Sequence, residues 1–166
     1  MDARCHASKV DIVTERLILH PLTVAEARRI AERAPGADDR WHADYPLEDE
    51  LDPLRALAVA SAPDPFFTLY AIRTSDDGVA VGGIGFFGPP DENGSVELGY
   101  GLVAAVRGRG FATEAVVALT RSALSNGARQ IRADTAIHNL ASQRVLAKAG
   151  FSESSRSGGL MFYAFG

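Results

Sequence analysis

Seven consecutive residues hold the most chemical potential in this chain: Arg107-Gly108-Arg109-Gly110-Phe111-Ala112-Thr113. A glycine-rich turn that opens a helix can hold an anion, because the first N–H groups of a helix lack intrahelical partners and its dipole is positive there. Gly108 and Gly110 let backbone approach a ligand with no Cβ in the way, and Arg107 and Arg109 add cationic reach. The same string also fits a plain tight turn capped by Thr113, so its surroundings must decide. A dinucleotide-binding βαβ unit would put a ribose-binding acid about 20 residues further on, where Asp134 stands. Only 32 residues follow Asp134, too few for the remaining βα units, and three β-rich runs joined by short turns precede the loop. The dinucleotide alternative is therefore the weaker one.

The elements that must position this loop follow from pattern. Residues 12–20 read as a strand stopped by Pro21. Thr23 and Glu26 form a capping box for a helix to about Ala34. An acidic stretch runs from Asp38 to Asp52, and a helix is expected over about 48–60. Strands at Phe66–Arg73, Val79–Phe87 and Ser95–Leu102 are separated by turn signals, so they should be antiparallel neighbours. A helix over Ala112–Asn126, a strand over Ile131–Ala136, a helix over Asn139–Ala149 and two strands near Phe151–Arg156 and Leu160–Phe165 complete the order. The fold class is α/β (α+β): a mixed, mostly antiparallel sheet of about six to seven strands with about four helices.

Composition bounds the function. With 166 residues, 46% hydrophobic and 23% charged, one core is expected, and disordered or disulfide-scaffold classes are excluded. Cys5 is the single cysteine and no His/Cys set has zinc spacing, so no metal site is expected. No apolar run approaches the ~20 residues of a membrane span, and the first residues do not read as a signal peptide. A cytoplasmic setting and no membrane partner follow. A net charge of −4 argues against nucleic acid. The charge is uneven: residues 1–102 hold nine basic and eighteen acidic side chains, residues 103–166 eight and three. The second part suits an anion and the first a cation.

The loop resembles the acyl-coenzyme A pyrophosphate loop of the GNAT N-acetyltransferase superfamily, Arg/Gln-x-x-Gly-x-Gly/Ala, with Arg107, Gly110 and Ala112 matching. Glu97-Leu98-Gly99-Tyr100 and Ala112-Thr113-Glu114-Ala115 look like the branch containing the ribosomal-protein N-acetyltransferases. Thr14-Glu15-Arg16-Leu17-Ile18-Leu19 resembles that branch's opening strand, with His20 where arginine is common. Asn139-Leu140-Ala141-Ser142 and Lys148-Ala149-Gly150-Phe151 resemble its second signature. The resemblance covers roughly residues 12–165 and implies an acyltransferase: residues 10–166 as one N-acetyltransferase domain behind a mobile tail, 1–9. It would transfer acetyl from acetyl-CoA to a primary amine of a small molecule or a peptide N-terminus, as a monomer or homodimer. The alternative is an acyl-CoA-binding sensor without turnover.

The resemblance also implies site residues. Leu102 and Val103 would offer backbone N–H groups to the acetyl carbonyl, Arg107, Gly108, Arg109, Gly110, Ala112 and Thr113 would hold the pyrophosphate, and Asn139 would bond the pantetheine arm. Ser142 would protonate the departing thiolate; the tyrosine that many relatives place four residues before the glycine matching Gly150 is Leu146 here. Glu97 is the first candidate base, since burial among Val96, Leu98 and Tyr100 would raise its pKa. Trp41 and His42 fall in the segment that lines the acceptor side. His138 and Glu153 are lesser candidates, each with a structural explanation. A covalent acetyl-cysteine route through Cys5 is disfavoured, and the acidic stretch suggests an acceptor with extra positive charge.

Overall fold

The structure, a computed structural model, describes residues 9–166. Among these the chain forms β1 (Ile12–Val13), β2 (Leu17–Pro21), α1 (Val24–Ala31), α2 (Leu51–Ala58), β3 (Leu69–Thr74), β4 (Ala80–Phe86), β5 (Ser95–Leu102), α3 (Phe111–Ser125), β6 (Gln130–Ala136), α4 (Leu140–Lys148), β7 (Ser152–Ser157) and β8 (Leu160–Phe165). One mixed sheet has the order β1-β2-β3-β4-β5-β6-β8-β7, and only the β5–β6 pairing is parallel. No helix among the described residues is long and apolar enough to cross a membrane.

Local chemistry explains where the elements depart from the expected ones. The strand expected over 12–20 is a hairpin, because Thr14 Oγ1 accepts the Leu17 N–H at 3.0 Å and the Thr14 N–H donates to the Leu17 carbonyl at 2.9 Å. That raises the strands to eight. Pro21 ends β2 from within, at a position where β1 no longer runs alongside and no donor is needed on that side. The capping box forms as read, with Thr23 Oγ1 accepting from Glu26 N–H at 3.1 Å and Glu26 Oε1 accepting from Thr23 N–H at 3.2 Å. The helix stops at Ala31 because Arg33 turns to a φ of 53°. Glu48–Glu50 make a 3₁₀ turn that leads into α2. Lys9, inside the expected tail, donates to the Leu22 carbonyl; the rest of that segment and Cys5 lie outside the described residues.

A single cluster of buried side chains, including Leu17, Leu19, Ile72, Val116, Leu119, Ile131 and Leu146, ties the sheet to α3 and α4. Each large apolar side chain so buried contributes roughly 1.5–3 kcal/mol relative to exposure. The core therefore holds the central strands rigid where they must part. β5 pairs with β6 only at Ser95↔Gln130, Val96↔Ile131 and Glu97↔Arg132. From Leu98 on, β5 stays with β4 and β6 with β8, so a wedge opens between two well-anchored strands.

Candidate active site

The wedge has a polar lining on its β5 side. Val103 N–H donates to the Val81 carbonyl at 2.8 Å. Backbone direction alternates along an antiparallel ladder, so Gly101 and Gly99 face β4 while Leu102, Tyr100 and Leu98 turn their N–H and C=O groups into the wedge. The Leu102 carbonyl bears this out by accepting Arg107 Nε at 3.0 Å. Of the two expected carbonyl-polarising donors, Leu102 is thus available and Val103 is not, its N–H being spent on Val81.

A cavity of about 430 Å³ continues from the wedge to the starts of α3 and α4. Gly110 caps α3 at φ 80°, a left-handed conformation that glycine adopts without a Cβ penalty. The first helical bond is Glu114 N–H to the Gly110 carbonyl at 3.1 Å. The N–H groups of Phe111, Ala112 and Thr113 lie before it and are left for an anion. Arg107, Gly108, Gly110, Ala112 and Thr113 all line this cavity. Arg109 does not: its guanidinium lies over the Phe111 ring, 5.9 Å from the centroid. The cations that join Arg107 at the cavity are Arg144 and Lys148 of α4, spaced one helical turn apart.

Arg16, in the β1–β2 turn, secures the loop. Its Nη1 donates to the Arg109 carbonyl at 2.8 Å, its Nε and backbone N–H each reach the Glu114 carboxylate at 3.1 Å, and its guanidinium sits 4.7 Å from the Phe111 centroid. Ninety-eight residues separate Arg16 from Glu114, so no local pattern marks the pair.

At the start of α4, Asn139 Oδ1 accepts the Ser142 N–H at 3.1 Å, which makes Asn139 the N-cap and leaves its amide nitrogen for another partner. Ser142 Oγ stands 2.7 Å from the Tyr100 hydroxyl. Burial pushes the Tyr100 phenol up, partly offset by that hydrogen bond. Leu146 is fully buried, so no hydroxyl approaches from that position. Tyr100 brings one from β5 instead.

A second cavity, about 220 Å³, shares Leu47, Asp49, Tyr100 and Gly101 with the first. Its floor is four glycines paired across two strands, Gly83↔Gly101 and Gly85↔Gly99. A Cβ on Gly101 would stand 2.8 Å from Leu47 Cδ1, and one on Gly83 would collide with Glu50 Oε1. Glycine weakens a strand interior, and here close approach accounts for it. The Gly82-Gly83-Ile84-Gly85 run was the trace of this floor in the sequence. Glu50 hangs over it. Burial pushes its carboxyl up to about 7, with the Leu47 N–H and the nearby Gly83 N–H opposing.

Other expected residues lie elsewhere. Glu97 is exposed beside Arg132 and lines neither cavity, so the burial expected for a candidate base is absent. Trp41 and His42 line neither cavity either: Trp41 bridges Ala80 at the far end of β4 and stacks edge-on against Tyr45, and the His42 N–H donates to the Ala80 carbonyl at 3.0 Å. That pairing holds the segment away from the site until Tyr45, Leu47, Asp49 and Glu50 reach it. His138 is exposed outside the cavities, and Glu153 pairs with Arg156.

Comparison with known proteins bears on the family and the fold. A family model described as Acetyltransferase (GNAT) domain matches residues 16–152. The uncharacterized N-acetyltransferase YjdG of Bacillus subtilis (strain 168) is 38% identical over 92 residues, 55% of this chain and 55% of that protein; the match spans about half the length of this curated relative. The ribosomal-protein-S5-alanine acetyltransferase of Vibrio fischeri superposes with a TM-score of 0.67 at 17% identity, covering 94% of this chain and 96% of that one. The microcin C7 self-immunity acetyltransferase MccE, solved with acetyl-CoA and AMP, gives 0.63 at 14% identity, covering 92% and 93%. At such identities the two structures speak to the fold.

Proposed function

The chain belongs to the GNAT acetyltransferase family, and on that premise we propose that it moves an acetyl group from acetyl-CoA directly to a primary amine. The carrying observation is the wedge between β5 and β6, which runs from the unpaired Leu102 N–H to the free N–H groups at the start of α3. An extended acyl arm with an anionic end fits that shape and charge. The residues present suit the cofactor: Phe111 to Thr113 N–H groups with Arg107, Arg144 and Lys148 for pyrophosphate, and the Asn139 amide for the arm. Acetyl-CoA supplies the activated thioester.

Within this reading, the Leu102 N–H stabilises charge on the acetyl oxygen, a fixed dipole that needs no reorganisation. Ser142 Oγ holds a proton for the leaving sulfur, and Tyr100 orients that hydroxyl. A proton acceptor is also required, because amines with pKa values of ~8–10 are mostly charged at neutral pH. Glu97 could serve only across solvent, being outside both cavities.

Incubation with acetyl-CoA and a panel of amines, read by thiol release and mass of the acetylated product, tests the proposal. Acceptor-dependent thiol supports it. Tight acetyl-CoA binding with no turnover for any amine would favour a sensor.

A further inference from the structure

Two carboxylates line the smaller cavity, and they differ. Asp49 is exposed at the junction with the larger cavity. Glu50 Oε2 accepts the Leu47 N–H at 3.3 Å, while Oε1 is cut off from solvent and has no hydrogen-bond partner. Most of the wall is apolar, including Leu22, Leu54, Ile84 and Phe87, and no lining residue is basic. A buried carboxylate without a cation is costly to hold, and an ammonium entering this space would satisfy it.

Resting on the acetyl-transfer reading, we propose that this cavity is the acceptor subsite for a small primary amine with an apolar substituent, and that Glu50 is the catalytic residue that takes the ammonium proton. At about 220 Å³ the space is smaller than the ~300–1,000 Å³ of drug-sized sites, so it admits one side-chain-sized group. The glycine floor supplies that room, and Gly83 in particular gives the Glu50 carboxylate its seat. Glu50 is the one enclosed carboxylate, and Asp49 stands exposed at the mouth, so a second ammonium on the same molecule would have no enclosed anion left to meet. Glu50 receives one proton from the ammonium and later returns it to solvent. The freed nitrogen lone pair forms the N–C bond, the C–S bond breaks with its electrons on sulfur, and the second proton leaving nitrogen balances the one Ser142 delivers to sulfur. The titratable groups around Glu50 are Asp49 on its own turn, Tyr45 before it, Tyr70 on β3 and Tyr100 on β5. Burial raises all three phenols, so they stay neutral and leave Glu50 as the enclosed group that changes charge.

The test compares 2-phenylethylamine and 3-methylbutylamine with spermidine as acceptors for wild type, Glu50→Gln and Gly83→Ala. The apolar amines should be preferred. Glu50→Gln should lower kcat about 10²-fold or more with acetyl-CoA binding by calorimetry unchanged, and should abolish the acid limb of the kcat/KM profile near pH 7. Gly83→Ala keeps the carboxylate but displaces it, so its loss should run in the same direction. Carbon NMR of the ligand-free protein gives a readout independent of turnover: a side-chain carboxyl titrating near 7, missing from Glu50→Gln. Wild-type turnover by Glu50→Gln, spermidine as the preferred acceptor, or no such carboxyl resonance overturns the inference while acetyl transfer stands. Failure to bind acetyl-CoA, or thiol release with none of the amines, overturns the functional reading and this inference with it.

Discussion

The Tyr100 hydroxyl and Ser142 Oγ lie 2.7 Å apart, so a side chain from β5 meets the first turn of α4 across the wedge. The contact depends on two separate pieces of architecture. β5 must leave β6 after Glu97 to make the space, and Asn139 must cap α4 so that Ser142 faces it. Tyr100 also borders both cavities, which places this hydroxyl pair where acyl arm and acceptor would meet.

Ser142→Ala should lower kcat about 10²-fold with acetyl-CoA affinity nearly unchanged, the range for a general acid. Tyr100→Phe should cost less, on the order of tenfold, because it removes one orienting hydrogen bond. If the two act as a unit, the double variant should be no worse than Ser142→Ala. Steady-state kinetics decides, and an unchanged kcat for Ser142→Ala would remove its acid role.

Gly110→Glu should abolish measurable acetyl-CoA binding by putting a carboxylate where the α3 N–H groups await an anion. Any side chain at φ 80° also strains the backbone by roughly 1–2 kcal/mol. Gly110→Ala isolates that strain: it should lower Tm comparably yet bind far better than the glutamate variant. Equal affinities in calorimetry would mean that charge at this turn is irrelevant.

The sequence made the anion turn legible because it is local: glycines, a helix start and nearby cations fall within seven residues. The capping box at Thr23 and Glu26 and the three antiparallel strands were legible for the same reason. What depends on distant pairing was not. Val103 differs from Leu102 in ladder parity, and the Arg109 guanidinium lies over the Phe111 ring outside the cavity, on a turn that Arg16, far away in sequence, holds by its carbonyl. Trp41 and His42 fall in the segment that the resemblance assigns to the acceptor side, yet a bridge to Ala80 sets them aside while Glu50, in a run of three acids, is enclosed. Glu97 sits in the right strand with its side chain in solvent.

Arg16→Ala should loosen the turn without touching the reacting atoms. It removes the bond to the Arg109 carbonyl and the pairing with Glu114, whose side chain is mostly buried against a half-exposed Arg16. The expected result is a KM for acetyl-CoA raised several-fold with kcat retained. Arg16→Lys should recover little, since one ammonium cannot reproduce the fork of contacts. A fall in kcat with KM unchanged would contradict a positioning role.

His20 lies between Asp11, at 2.7 Å, and Glu26, at 2.6 Å. The Glu26 hydrogen bond raises the His20 pKa against the effect of burial. Burial alone would raise Glu26, but the His20 hydrogen bond and charge outweigh it and hold the carboxyl at about 2. The histidine contribution is therefore full below its unfolded pKa of ~6.5 and is lost as pH rises through the higher folded value. Glu26 contributes above its unfolded pKa of ~4.3 and loses that as pH falls toward 2. Tm should be highest between about pH 4.5 and 6.5 and decline above it, and His20→Asn should flatten that decline. An identical alkaline slope in the variant would rule the cluster out as its source.

The acidic stretch is less available to an acceptor than its seven carboxylates suggest. Asp39 pairs with Arg29 at 2.8 Å, Glu48 with Arg33 at 2.8 Å and Asp52 with Arg55 at 3.0 Å. Asp49 borders both cavities while exposed, so it is the group placed to attract an incoming ammonium over distance. Asp49→Asn should lower kcat/KM for a monoamine two- to threefold at low salt and leave kcat alone, because it acts on encounter. The difference from wild type should vanish toward 1 M salt, where the Debye length falls to about 3 Å. Glu48→Gln, which only frees Arg33 at the surface, should leave the salt response as it was. A larger effect from Glu48 than from Asp49 would show that the acceptor does not enter past Asp49, and an Asp49→Asn deficit that persists in high salt would rule out attraction over distance as its role.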